Sequence, residues 1–445
     1  MAKKKNRTKG IHIGGYTIRP MGIGVILALL VIIVVAVLAA TNHLPDIERL
    51  QYAFVQPTEA PTPEPTATNT PVPATPTPVP TPSPTPEPRE ATIRVMGEIS
   101  MDTDLLKSVY NRETSTFDFA PMFSLIEDVT SKADYTIADV EGVMTSTAIN
   151  GEQAKMLTPP ALLKALDNMG VDMLMLGNDH AMDGDADALR DEIANVEAAG
   201  FDYVGAASSI EDKVRPIIKN IKGYNVGFVA YTEKLNIEEK KISAGDLAGC
   251  LNMVNASNAI SDVKALRSAG ANIVIALVNW GELYSQEATE SQTQIAQYLA
   301  SNCGVDIILG YNPAVVQPVY WIENENAGED IPEKTLVMSA AGNFISSQRD
   351  NGKNCGYIFD FTLKDEDGRI NIIEPKYIPT YIIRYADQSG QNQYRTVAVG
   401  QWTDDAADRM AEGMTYADLQ YMGELWTQMQ KVMDQSESIA SIARE

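Results

Sequence analysis

Six apolar runs of this 445-residue chain each end in a small polar cluster: Val95-Met96-Gly97-Glu98, Ile137-Ala138-Asp139-Val140-Glu141, Leu176-Gly177-Asn178-Asp179-His180, Ala276-Leu277-Val278-Asn279-Trp280-Gly281, Leu309-Gly310-Tyr311-Asn312-Pro313-Ala314 and Ala341-Gly342-Asn343-Phe344. Buried strands that deliver carboxylates, amides and an imidazole at their carboxyl ends are how an α/β sheet assembles one polar site from distant stretches of sequence. The pattern therefore specifies strands at 92–96, 135–138, 173–176, 203–205, 224–231, 272–278, 306–309 and 336–340. Between them, 3.6-residue periodicity predicts helices at 119–133, 160–169, 186–199, 256–269 and 290–303. Two closely spaced strands, 356–363 and 370–385, flank a turn at Asp365-Glu366-Asp367-Gly368, so an antiparallel edge or second sheet follows. Residues 404–444 read as helix with Met and aromatic side chains on one packing face.

The amino terminus sets the location. Residues 1–20 carry Lys3, Lys4, Lys5, Arg7, Lys9 and Arg19 and no acid, and residues 21–40 are an uncharged run of Ile, Leu, Val and Ala. About twenty apolar residues span a bilayer as a helix, and a basic flank stays cytoplasmic. A spanning helix is expected over 21–41, with 1–20 as the cytoplasmic tail and the rest outside the cell membrane. A cleaved signal peptide is the alternative, but its apolar stretch is usually about 7–15 residues, which favours a retained anchor. Residues 42–88 form an extracellular linker, and 57–88 hold 13 of the 24 prolines among threonines. Such a tract extends as polyproline II at about 3.1 Å per residue, a semi-rigid stalk on the order of 100 Å. A globular domain follows over 89–385, with a helical extension over 386–445 packed on it.

Beyond the tail, 29 Lys and Arg face 59 Asp and Glu, a formal charge of −30. So acidic a surface disfavours nucleic acid and anionic lipid and favours cations. Cys250, Cys303 and Cys355 have no metal-ligand spacing and read as small buried residues, with a bridge between two of them left open. Neither a Gly-x-Ser-x-Gly elbow nor a phosphate loop ending in Gly-Lys-Ser/Thr occurs. Of three histidines, His12 and His43 lie in the tail and at the membrane exit, which leaves His180 for the domain.

The motifs Ile93-Arg94-Val95-Met96-Gly97-Glu98, Asp139-Val140-Glu141-Gly142, Gly177-Asn178-Asp179-His180, Asn279-Trp280-Gly281-Glu282, Gly310-Tyr311-Asn312-Pro313-Ala314 and Gly342-Asn343-Phe344 resemble, in order, those of the CapA family of bacterial capsule (poly-γ-glutamate) synthesis proteins over about residues 92–385. The resemblance implies an α/β, metallophosphatase-like sandwich of two sheets flanked by helices, with a metal site at strand ends. It implies work on an anionic surface polymer or with capsule assembly proteins, with residual metal-dependent hydrolysis. Glu141, Asn178 and His180 keep the family residue. Glu98 stands for its Asp, Asp139 for its Asn, Asn279 for a His, and Tyr311, Asn312 and Ala314 for three more.

Imidazole suits zinc and iron, whereas carboxylate and amide oxygens suit magnesium, manganese and calcium. One hard divalent cation, rather than zinc, is therefore the expected cofactor, with Glu98, Glu141, Asn178 and His180 as ligands. His180 and Asp179 are the candidate catalytic pair, and Asp139, Asn279, Trp280, Glu282, Asn312 and Asn343 the candidate binding residues. Plainer roles stand beside these: helix capping for His180, Asp179 and Asp183, turn chemistry for the asparagines, and core packing for Trp280 and Tyr284. The competing functional class is an inactive relative that binds a wall polymer or acts as a scaffold.

Overall fold

The computed structural model describes residues 11–13, 16–18, 89–146, 156–237, 241–366, 368–400, 413–434 and 441–442. The chain divides into two compact units, Met1–Ser83 and Pro84–Glu445. In the first, Ile11–Ile13 and Tyr16–Ile18 pair antiparallel. The spanning helix expected over 21–41 and the linker over 42–88 lie outside the described residues. Among those described, no helix is long and apolar enough to cross a membrane.

The second unit is built on two sheets. In chain order its main strands are β1 (Glu90–Ser100), β2 (Tyr135–Glu141), β3 (Met173–Met175), β4 (Asp202–Val204), β5 (Ile217–Ile221), β6 (Tyr224–Thr232), β7 (Ile273–Asn279), β8 (Ile307–Tyr311), β9 (Val316–Glu323), β10 (Lys334–Ala341), β11 (Asn343–Ile345), β12 (Cys355–Glu366), β13 (Arg369–Ala386) and β14 (Asn392–Ala398). One sheet runs β4-β3-β2-β1-β12-β13-β14, with β11 also paired to β1; the other runs β5-β6-β7-β8-β10-β9. The centre of each is parallel: β4, β3, β2 and β1 in the first, β6, β7, β8 and β10 in the second. Parallel neighbours end at the same side, which gathers the polar run ends together.

The alternation along each strand fixes the layers. Ile93, Val95, Ile137, Met173 and Met175 of the first sheet pack on Val226, Phe228, Ile275, Leu277, Ile307 and Leu309 of the second. The alternate residues Met96, Ala138, Leu174 and Leu176 pack with Leu162, Leu166, Leu189, Ile193 and Val196 of helices α1 (Leu162–Asn168) and α2 (Asp185–Ala199). On the far side, Val274, Ala276 and Val278 pack with Val263, Leu266 and Ala296 of α3 (Ala256–Ser268) and α4 (Glu290–Tyr298). The result is the expected α/β sandwich, helix, sheet, sheet, helix.

Three elements differ from the sequence reading. The helix expected over 119–133 is two short turns, Ala120–Phe123 and Glu127–Thr130, because Ile126 leaves helical geometry while staying buried. The helix expected over 290–303 widens after Tyr298 into a π turn, Leu299–Cys303, and stops at Gly304 with φ +78°. The extension expected to be helical over 386–445 first supplies β14, so the sheet continues past 385. Its helix α5, Tyr416–Asp434, turns Met422, Leu425, Met429 and Val432 into the core between the sheets, the packing role expected of that face. All three cysteines are buried and free.

Candidate cation site

Register places the polar run ends side by side. Glu98 on β1 pairs with Asp139 on β2, Ser100 pairs with Glu141, and Asn343 on β11 pairs with Glu98. In the other sheet Asn279 pairs with Tyr311. The two sheets are tied across the site by Glu98, whose Oε1 accepts hydrogen bonds from the backbone N–H groups of Asn312 (3.0 Å) and Ala314 (3.2 Å). Asn312 (φ +95°) and Ala314 (φ +56°) are left-handed, and the turn holds both N–H groups toward one carboxylate oxygen as a small anion nest. Asn312 Nδ2 donates to the carbonyls of Trp280 (2.9 Å) and Gly281 (3.1 Å), and Asn343 Nδ2 to those of Ala314 (3.1 Å) and Lys353 (2.8 Å). These side chains stitch together the loops that follow β7, β8 and β11.

Beside this frame, His180 stands among three carboxylates. Its Nδ1 lies 2.8 Å from Asp183 Oδ2, while its Nε2 lies 3.7 Å from Asp179 Oδ2 and 3.9 Å from Glu141 Oε1. The contact of Nδ1 with Asp183 orients the ring and leaves Nε2 to face the other two acids. Asp183 is itself held by Met156 N–H (2.7 Å) and Asn236 Nδ2 (2.8 Å). Glu141, Asp179 and His180 each offer a ligand atom within 4.8 Å of the others, separations too long for hydrogen bonds and suited to a cation between them.

Among the described residues, the buried acids here outnumber the cationic side chain beside them, His180. Burial, and then the charge of Glu141, raise Glu98 to about 8 against the two backbone hydrogen bonds that favour its anion. Burial and the surrounding acids raise Asp139 well above the carboxylate range. Glu141 and Asp179 are also raised, by burial first, with His180 opposing. Burial pulls His180 down, but the Asp183 hydrogen bond and the Glu141 and Asp179 charges outweigh it and bring the imidazole to about 9. Asp183 moves the other way: its burial is overcome by hydrogen bonds from His180 and Met156, and it falls below the ordinary value. Buried oxygens without a hydrogen-bond partner cluster in the same residues: Glu98 Oε2, Asp139 Oδ1, Asp179 Oδ1, Asn279 Oδ1, Asn312 Oδ1 and Asn343 Oδ1. Native structures rarely leave such atoms unsatisfied, and oxygens of this kind fit magnesium, manganese or calcium.

Comparison with known proteins places the chain. The family described as bacterial capsule synthesis protein PGA_cap matches residues 92–348. The chain belongs to this family. Capsule biosynthesis protein CapA of Bacillus anthracis is 24% identical over 292 residues, 64% of this chain and 66% of that protein. The PGA biosynthesis protein CapA of Bacillus subtilis is 25% identical over 234 residues, 51% of this chain and 57% of that one. The chain thus spans about two thirds or less of these relatives' length. Among solved structures, the NAD nucleotidase of Haemophilus influenzae is similar at 10% identity with a TM-score of 0.41, over 80% of this chain and 58% of that one.

Within this PGA_cap chain the predicted residues divide. Glu98, Asp139, Glu141, Asp179, His180, Asn279, Asn312 and Asn343 are gathered as expected. Asn178, expected as a ligand, has its amide engaged instead: Nδ2 donates to Val140 O (2.8 Å), and Oδ1 accepts from His180 N–H (3.0 Å) and Gly142 N–H (3.3 Å). Asp179, not Asn178, stands with Glu141 and His180. Trp280 is core, its Nε1 donating to Ser339 O at 2.9 Å. Glu282 leaves the site, its side chain 71% exposed and 2.8 Å from Lys234. Tyr284, expected in the core, is 44% exposed because its left-handed backbone (φ +66°) turns it outward. Neither Asp179, Asp183 nor His180 caps α2, where Gly184 holds the N-cap and Asp185 bonds the N–H groups of Asp187 and Ala188. Sequence reasoning missed Asp183 as the partner of His180, although the i,i+3 spacing was visible, and missed Asn236, which no local signal marks.

Proposed function

We propose that this chain serves anionic surface polymer biosynthesis of the capsule, poly-γ-glutamate type, anchored in the cell membrane through residues 21–41 with its carboxy-terminal part outside. We infer that it does so with one hard divalent cation held by Glu141, Asp179 and His180. The observation that carries the reading is the His180 geometry, with Nδ1 held by Asp183 and Nε2 facing two buried carboxylates. When bound, such an ion supplies positive charge to a ligand carboxylate and acidifies a coordinated water. The residues do the rest. Asp183 and Asn236 hold the imidazole in place, Ser100 donates a hydrogen bond to Glu141, and Glu98 keeps the turn at 311–314 closed against the site.

Charge favours this reading over direct capture of a polyanion. The chain beyond its basic tail, at −30, repels a carboxylate polymer unless cations bridge the two. The scaffold reading draws on what the resemblance implies, that Tyr311, Asn312 and Ala314 stand where the family has imidazoles, which leaves too few ligands for a dinuclear centre. Binding of poly-γ-glutamate to the protein, measured with magnesium, manganese or calcium and again in chelator, tests the proposal. Cation-dependent binding that Glu141→Gln abolishes supports it, and binding indifferent to chelator, or none, overturns it. Cation-dependent shortening of the polymer marks a hydrolase; unchanged polymer length marks a scaffold.

A further inference from the structure

Tyr284 carries two costs at once. It sits in the loop between β7 and α4 with φ +66°, and it is 44% exposed. A bulky side chain in the left-handed region is strained, and an exposed ring recovers little of that cost by burial. The loop is nevertheless held in this shape. Gly281 N–H donates to Glu233 Oε2 at 2.8 Å, Tyr284 N–H to Pro313 O at 2.7 Å, and Gln317 Nε2 to Ser285 O at 2.8 Å. Strained residues that their surroundings hold in place gather at ligand clamps.

What the outward ring holds is a cation. The ammonium of half-buried Lys353, in the loop between β11 and β12, lies over it, 4.0 Å from the centroid. Lys234, on the loop after β6, shows what such an ammonium takes elsewhere in this protein, the Glu282 carboxylate at 2.8 Å. Among the described residues no carboxylate plays that part for Lys353, and the ring holds it instead. A ring beneath the ammonium restrains its long stem, so less freedom is lost when the charge meets an anion. Both residues are also tied to the turn that Glu98 closes. Asn343 Nδ2 donates to Ala314 O at 3.1 Å and to Lys353 O at 2.8 Å, and Pro313 between Asn312 and Ala314 accepts from Tyr284. An oriented positive charge open to solvent thus stands on the loops that frame the buried acids.

We propose that Lys353, seated on Tyr284, takes a carboxylate of the acidic polymer chain while the cation holds another. This rests on the polymer reading and deepens it, because it names the residue that meets the chain outside the cation's reach. Neither Lys353 nor Tyr284 belongs to the cation site itself.

The experiment is calorimetric titration of the full-length protein, in saturating magnesium, manganese or calcium, with a γ-linked glutamate oligomer. It is run on wild type, Lys353→Met, Lys353→Gln and Lys334→Met. Lys334 is the control for charge alone. Its ammonium also lies over a ring, 4.9 Å from the Trp321 centroid, but it begins β10, about 23 Å along that strand from the end nearest the site at about 3.3 Å per residue. The expected result is binding weakened on the order of fivefold in Lys353→Met, as for loss of one partly exposed ion pair, and unchanged in Lys334→Met. Divalent cation content is expected to match wild type in both. Wild-type affinity in Lys353→Met, with binding still dependent on the cation, overturns this assignment and leaves the polymer reading standing. Equal weakening in Lys334→Met, or loss of the ion from Lys353→Met, overturns it too. A wild type that does not bind, or binds equally in chelator, overturns the polymer reading and this assignment with it. An unfolding curve on each variant checks the fold, and Lys353→Gln decides if Lys353→Met does not fold.

Discussion

His180 works through the atom that does not face the site. With Nδ1 held by Asp183, Nε2 is aimed between Glu141 and Asp179; without that partner the ring loses this hold. Partners of this kind typically contribute 10–100-fold in metal affinity. Asp183→Asn is therefore expected to weaken divalent cation binding by that factor in a calorimetric titration, with the unfolding midpoint in chelator little changed. Unaltered affinity would mean that Asp183 only holds the Met156 N–H. A second residue titrates away from the site. Glu192 on α2 is fully buried, accepts one hydrogen bond from Met144 N–H, and is pushed up to about 8 by burial. Its folded-state pKa lies above the unfolded one, so its stabilisation is complete below pH about 4.5 and is lost as pH rises through about 8, at roughly 1.4 kcal/mol per pH unit. Glu192→Gln removes that dependence. Urea unfolding of both proteins at pH 5 and pH 8.5 is expected to show the variant gaining on wild type at the higher pH, and parallel curves would contradict it.

At the scale of elements, β1 and the β10–β11 junction have to cross closely for Glu98 to reach the second sheet. Glu98 N–H donates to Gly342 O at 2.9 Å, and a Cβ on Gly97 would stand 2.2 Å from that same carbonyl. Backbone cannot yield as a flexible side chain can. Gly97→Ala is expected to lower stability by about 1–3 kcal/mol, read as an earlier urea midpoint, and to weaken cation binding by displacing Glu98 and its neighbours; a neutral substitution would show that the crossing has slack. The strands themselves were legible because period-2 alternation and apolar run length survive in the sequence. Glu98, Glu141 and His180 were legible because they end such runs. The loops were not. Tyr284, Asn312 and Ala314 take left-handed φ, which breaks the alternation and decides which side chains point inward. Glu282 and Tyr284 thus face solvent against expectation, and Asn236 reaches His180 from a loop whose path no periodicity records.

For the whole molecule the governing fact is charge. A chain with 59 acids and 35 Lys and Arg gathers Glu98, Asp139, Glu141 and Asp179, all buried, at strand ends, with His180 beside Glu141 and Asp179. A ligand that binds only the folded state stabilises it by about 2.7 kcal/mol at one hundred times its Kd, so saturating divalent cation should raise the unfolding midpoint in wild type more than in Glu141→Gln. The most direct measurement is elemental mass spectrometry of the purified protein after dialysis against low concentrations of magnesium, calcium, manganese and zinc together, with Glu141→Gln alongside. The arrangement around His180 predicts about one magnesium, calcium or manganese ion per wild-type chain, lost in the variant. A folded wild type that retains no ion, or an ion that survives Glu141→Gln, would contradict a cation held by Glu141, Asp179 and His180.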